Sequence, residues 1–484
     1  MGSKRPLAAV SQRPMSAPGS PMRAVGHLWA LLPVMDRAIS LRIAFYLAGL
    51  LCFGAERLVE YYAVQGIKPH LTVPIHVILP FIGVGFFFLA CRSTVPRMFT
   101  RLLPSSHIVL AIGLLATLLL AGRSLRQIAH IPGVLAQHNH GVYDSVAMTG
   151  CGSDLFAHGH NPYTDFYMVD CLPRYGLDGS AATPLQAGAF AHTAGPTFAS
   201  MRRVFAREVQ QHQHWLPEFE SHFNYPAGSF ILPLLFRPLV GHDLSVFYLV
   251  CILLAYLLLV WIAPGRMRPW IVLFALGNLT VWAYATGAAN DSLDVLLILV
   301  AWATWRRSLL SAVLLGLAIA TRQNAWFFVP FYAILVGRVY GLRPLVWRAA
   351  IAAAVFALLN APFALQSPVD WIDGVLGPLH DPMYGLGGLF DLAEQGILPL
   401  LPRQGYTLLE LAAFAACALY YVRVCRDQPG TGLALATVPL LFAWRSPYMY
   451  VLPLAVLALW PLLDDMRKVA SRGEGDTINR THRE

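Results

Sequence analysis

Charge is what this chain has least of. Only 13% of its 484 residues are Asp, Glu, Lys or Arg, while 57% are hydrophobic. Soluble domains average about 25% charged residues. The scarcity excludes an ordinary water-soluble globule and points to a polytopic helical membrane protein. A cleavable signal pattern is also missing, because no apolar core falls within the first 25 residues. Internal repeats of the kind many transporters carry are not evident. Cys-x-x-Cys and His-Glu-x-x-His spacings are absent, which leaves little basis for a structural or catalytic zinc site.

What the chain has instead is long apolar runs. Crossing a bilayer takes about 20 apolar residues per helix. Candidate spans lie at 39–57, 71–91, 106–122, 243–263, 270–286, 292–306, 308–321, 325–341, 345–365, 406–424, 431–444 and 447–463. The fold class expected is an all-α polytopic integral membrane protein of about twelve helices. Residues 1–36 are Pro/Ser-rich and read as a disordered cytoplasmic N-terminus. Three transmembrane helices follow in 37–122. A large extracytoplasmic loop occupies 123–242, between the third and fourth spans. A bundle with a second external loop at 366–405 fills 243–465, and 466–484 reads as a disordered cytoplasmic tail.

The net charge of +9 does not signal nucleic acid. The basic residues sit mainly at the ends of apolar runs, where they orient the protein in its membrane. Placing Arg92, Arg97, Arg101, Arg306, Arg307, Arg338, Arg343, Arg423 and Arg426 inside gives a consistent positive-inside ladder. That ladder requires 226–240 to be a half-helix or re-entrant piece rather than a full span. It also places the 123–225 loop, 366–405 and the ends of several helices on the outside of the plasma membrane.

The loop holds the chemistry-bearing residues. Tyr143-Asp144 comes first, then Gly159-His160-Asn161-Pro162-Tyr163, then Asn224-Tyr225-Pro226-Ala227-Gly228. Asp144 reads either as a general base toward a hydroxyl or as the N-cap of a short helix over 145–157. His160 to Tyr163 reads as a turn that ends that helix. Nine of the 16 histidines fall in this loop. Residues 197–211 carry Phe198, Met201, Phe205 and Val209 on one stripe, with Arg202, Arg203 and Arg207 elsewhere. Such a helix lies either in the headgroups or on the protein's own loop. Cys151 and Cys171 share the loop, where a disulfide can form. Arg322 and Arg445 stand at external ends of apolar helices. They serve either a ligand or the lipid headgroups.

Taken together these motifs resemble the GT-C membrane glycosyltransferases, nearest to the glycosyltransferase 87 group that uses polyprenyl-phosphate mannose. Ala285-Thr286-Gly287-Ala288-Ala289-Asn290-Asp291, Gly316 to Gln323, Asn360-Ala361-Pro362-Phe363, Asp370-Trp371 and Phe442 to Pro447 add to the likeness, which covers about 130–465. The departures are three helices before the loop, Arg322 where Lys is common, and Ala227 where Pro is common.

The resemblance implies a GT-C helix bundle and an inverting transfer of a sugar, mannose or related, at the extracytoplasmic face. The donor would be a polyprenyl monophosphate sugar, and the acceptor a lipid or glycan. Asp144 would be the catalytic base. Arg322, Arg445 and Arg403 would bind the donor phosphate. Tyr143, Asn161, Tyr163, Tyr225, Asn290, Gln323, His380 and Trp444 would line the substrate. Monophosphate donors need no metal or other cofactor, and the loop has no Asp-x-Asp. Asp291 reads as a helix cap. Two rival readings remain: a polytopic transporter, and a polysaccharide polymerase or ligase that uses a lipid-diphosphate-linked glycan.

Overall fold

The computed structural model describes residues 37–64, 69–92, 106–136, 144–182, 188–190, 197–210, 218–240, 244–286, 291–377, 388–394, 396–445, 450 and 453–465. Helices dominate these residues, and no β-strand occurs among them. Tyr143, Asn290 and His380 fall outside the described residues, as do both termini.

Three long helices come first: α1 (Arg37–Val64), α2 (Pro69–Cys91) and α3 (Ser106–Ala136). Both α2 and α3 pack on α1. The third runs well past residue 122, where the sequence placed its end. Arg123 and Arg126 extend its exposed side, and long basic side chains can cover apolar surface while their heads reach water. Helix α4 (Asp144–Ala157) opens the loop region, and α5 (Phe198–Gln210) and α6 (Gly228–Val240) follow. At 13 residues α6 is about 20 Å long, too short for a hydrocarbon core of about 30 Å. Pro233 and Pro238 interrupt its ladder, consistent with the half-helix expected there.

The bundle proper contains α7 (Leu244–Ile262), α8 (Arg268–Gly277), α9 (Leu279–Thr286), α10 (Asp291–Ala303), α11 (Ser308–Thr321), α12 (Phe328–Tyr340), α13 (Leu342–Gln366), α14 (Pro368–Leu376) and α15 (Arg403–Val424). Among the described residues, five helices are long and apolar enough to cross a membrane: α1, α3, α7, α13 and α15. Their outer residues suit lipid: Leu257, Trp261, Leu358, Leu365 and Leu408 are all exposed. Such a surface in water would be an aggregation liability.

Some expected spans are broken. The run at 270–286 divides at Asn278 into α8 and α9. The Asn278 amide donates to the Tyr256 hydroxyl at 2.9 Å, and its carbonyl accepts from Val281 N–H at 3.2 Å. A buried capping amide thus satisfies backbone groups freed by the break. The run at 431–444 yields only Thr431–Leu435 and a 3-10 turn at Pro439–Leu441. Apolar composition registers burial but not these interruptions.

Small residues set the helix approaches. A Cβ on Gly316 would lie 2.8 Å from the Ala352 carbonyl oxygen, so α11 and α13 nearly touch backbones. A Cβ on Gly228 would meet the Ala320 carbonyl oxygen at 2.5 Å. This contact presses the start of α6 against the end of α11, next to Arg322.

Candidate functional site

A cavity of about 620 Å³ lies where the loop region meets the bundle. Its polar wall includes Asp144, Glu220, Asn224, Tyr225, Arg322, Gln323, Arg403, Glu410 and Arg445, and Trp444 also faces it. Thus Asp144, all three expected arginines, Tyr225, Gln323 and Trp444 come together from segments far apart in sequence. Phe327, Pro330, Leu411, Phe414 and Leu440 give the same cavity an apolar side.

Asp144 begins α4 and is half-buried. Its carboxylate accepts from the Ser145 N–H at 2.7 Å. A carboxylate in the first turn of a helix interacts favourably with the helix dipole. The helix ends at Ala157. Gly159 then takes a left-handed turn at φ +81°, and Asn161 caps the next turn by accepting from Tyr163 N–H at 3.0 Å. Cys151 on α4 is disulfide-bonded to Cys171, which ties the helix to the chain that follows.

Arg322 is buried at the C-terminal end of α11, in extended backbone. Its Nε lies 2.7 Å from a carboxylate oxygen of Asp291, and its guanidinium sits 4.7 Å over the Tyr225 ring. Arg445 is half-buried and pairs with Glu220. Both guanidinium groups are thus held by the protein's own carboxylates. Asp291 stands in the first turn of α10, where its charge suits the helix dipole, and its carboxylate also serves as counter-ion to Arg322. Arg403 opens α15, exposed, with its guanidinium 4.7 Å over the Trp444 ring. Burial pushes the Tyr225 phenol well above its ordinary value. Arg322 opposes that shift, and Asp144, Tyr450 and Glu220 add to it. The phenol therefore remains a hydrogen-bond donor throughout the neutral range.

Asn161 and Tyr163 do not line the cavity, contrary to the sequence reading. Tyr163 packs edge-on against Phe223 and Phe230. Its hydroxyl donates to the Tyr225 carbonyl at 2.8 Å. Tyr163 thus works from behind the cavity wall, and Asn161 caps the turn that carries it. Other motif residues brace the same segment. Gln323 donates to the Asn224 carbonyl at 2.7 Å and to the Val375 carbonyl at 3.0 Å. Asn360 accepts from Ala227 N–H at 2.9 Å and from the Trp371 indole at 3.3 Å. The motifs scattered through the chain thus converge on one segment, 224–228, and fix it as a wall of the cavity.

The remaining loop features are structural. Met201 of α5 is buried and Phe198 and Phe205 pack against the same core, so this stripe packs on the protein's own loop, and Arg207 pairs with Glu218. His158 and His160 are exposed and bond to Asp154 and Asp165 respectively. No metal-capable cluster of three His, Cys, Asp or Glu occurs among the described residues.

Two cavity residues escaped the sequence reading. Glu220 carried no signal beyond being an acid in the loop. Glu410 carried one: it is an acid inside a 22-residue apolar helix, and such a residue is a functional candidate by default. Comparison with known proteins finds no matching family model, no matching curated protein and no matching solved structure.

Proposed function

We propose that the chain is an inverting membrane glycosyltransferase. It takes a sugar, mannose or related, from a polyprenyl monophosphate donor and passes it to a lipid- or glycan-linked acceptor. The reading includes a bundle of about twelve spans in the plasma membrane, with the cavity at the extracytoplasmic face. One observation carries it: a single aspartate, half-buried, shares a cavity of about 620 Å³ with three arginines and several aromatic rings.

The chemistry follows from those groups. Asp144 takes the proton of an acceptor hydroxyl. The oxygen attacks the anomeric carbon, and a new carbon–oxygen bond forms as the bond to the donor phosphate breaks. The electron pair leaves with polyprenyl phosphate, whose growing negative charge is stabilised by arginine. Arg322 and Arg445, fixed by Asp291 and Glu220, are preorganised for that role and present N–H groups suited to phosphate oxygens. Because each already has a carboxylate partner, the site binds an anion without holding an unpaired buried cation beforehand. Trp444 and Tyr225 offer ring faces to the sugar. Three arginines in one cavity would also suit a lipid diphosphate, so a glycan-diphosphate donor is the second reading.

The test is direct. Purified protein in lipid vesicles is given radiolabelled polyprenyl-phosphate mannose and a membrane lipid extract as acceptor. Labelled product from the native protein, and none from Asp144→Asn at equal folded yield, supports the reading. Near-normal transfer by Asp144→Asn removes that residue from the mechanism.

A further inference from the structure

Glu410 is a half-buried carboxylate in the cavity wall that has no partner among the described residues. It is the eighth residue of α15, close to Leu408 and Leu411, which are 67% and 59% exposed. Arg403, Thr407, Glu410, Leu411 and Phe414 recur at helical spacing and together line the cavity. Glu410 makes no hydrogen bond or ion pair with any described residue. A carboxylate on an otherwise apolar helix is costly to keep unless something satisfies it.

The chemistry of the cavity narrows what that something is. A phosphate is repelled by a carboxylate, and Arg322 and Arg445 stand elsewhere on the wall to receive it. A polyprenyl tail has no donor to offer. A sugar has adjacent hydroxyl donors, which match the acceptor oxygens of one carboxylate. The neighbouring Trp444 and Phe414 supply apolar surface for the sugar's C–H faces.

We propose that Glu410 is a specificity-determining residue that accepts hydrogen bonds from hydroxyls of the sugar held in this cavity. It builds on the glycosyltransferase reading by naming the group that selects the sugar, and its test does not depend on turnover. Full-length protein in lipid nanodiscs is treated with dicyclohexylcarbodiimide, which modifies carboxyl groups in apolar surroundings, and labelling of Glu410 is followed by mass spectrometry. Octyl α-mannoside slows that labelling about fivefold or more, whereas 1-octanol at the same concentration does not. No protection by the mannoside, or equal protection by octanol, overturns the proposal.

Turnover provides the second arm. Glu410→Gln raises KM for one sugar substrate about tenfold or more, as expected for losing a charge-assisted hydrogen bond, while kcat changes far less. Which KM moves tells donor sugar from acceptor sugar. Loss of kcat at unchanged KM places Glu410 in the chemical step and overturns a binding role. Protection by the mannoside without any sugar transfer refutes the enzyme reading but leaves this site standing. Transfer without protection does the reverse.

Discussion

The two walls of the cavity are built in opposite ways. The wall formed by Asn224 to Gly228 is braced at nearly every residue: by Gln323, by Tyr163, by Asn360 and by the close contact of Gly228 with Ala320. The wall formed by α15 is a single exposed helix, whose cavity face carries Arg403, Thr407 and Glu410. Catalytic groups need fixed geometry, because a misplacement near 1 Å can cost about a hundredfold in rate. Groups that recognise a variable substrate tolerate more play. The contrast teaches that the braced wall is suited to chemistry and the α15 wall to selection.

Variants can break that contrast, and the largest effect belongs to the braced side. Asp144→Asn should lower kcat by about 10²–10⁴-fold, the usual worth of a general base. It should leave donor KM and thermal stability nearly unchanged, as read by steady-state kinetics and a melting curve. Arg322→Lys keeps the charge and loses the fork. It should reduce kcat/KM for the donor about tenfold or more while acceptor KM stays level. An equal effect on both substrates would count against phosphate binding. Arg322→Ala is a poorer probe, since stranding buried Asp291 costs about 3–5 kcal/mol of stability.

Bracing is tested one step smaller. Asn360→Leu removes the acceptor of both Ala227 N–H and the Trp371 indole. It should destabilise the protein by about 1–3 kcal/mol and lower kcat, measured by denaturation and turnover. Full activity in a destabilised variant would show that the wall need not be rigid. Cys151→Ser opens a disulfide whose cysteines are 20 residues apart. Loss of about 3 kcal/mol is expected, visible as a lower melting temperature with activity retained in the cold. The smallest effect is expected on the α15 side. Arg403→Gln, at an exposed position over Trp444, should change turnover less than tenfold.

The sequence made the helices legible because spanning a membrane demands long apolar runs. It placed α2, α7, α11 and α15 within a few residues of their observed ends. It could not show that 270–286 breaks at Asn278, since one buried amide outweighs the apolar run around it. The site was legible as a set of residue types and not as a division of labour. Asn161 and Tyr163 looked like substrate contacts, yet Tyr163 holds the Tyr225 carbonyl from behind and Asn161 caps the turn that carries Tyr163. A motif records that a residue is needed, and only geometry tells a wall from its brace. The arginine partners, Asp291 and Glu220, lie 31 and 225 residues from Arg322 and Arg445, a pairing that spacing cannot reveal.

The most direct test is a structure of the protein bound to polyprenyl-phosphate mannose or an unreactive analogue of it. The account predicts the phosphate within hydrogen-bond reach of Arg322 or Arg445, with the anomeric carbon between it and Asp144. A donor phosphate bound outside this cavity, or Asp144 on the same side of the sugar as the phosphate, would contradict it.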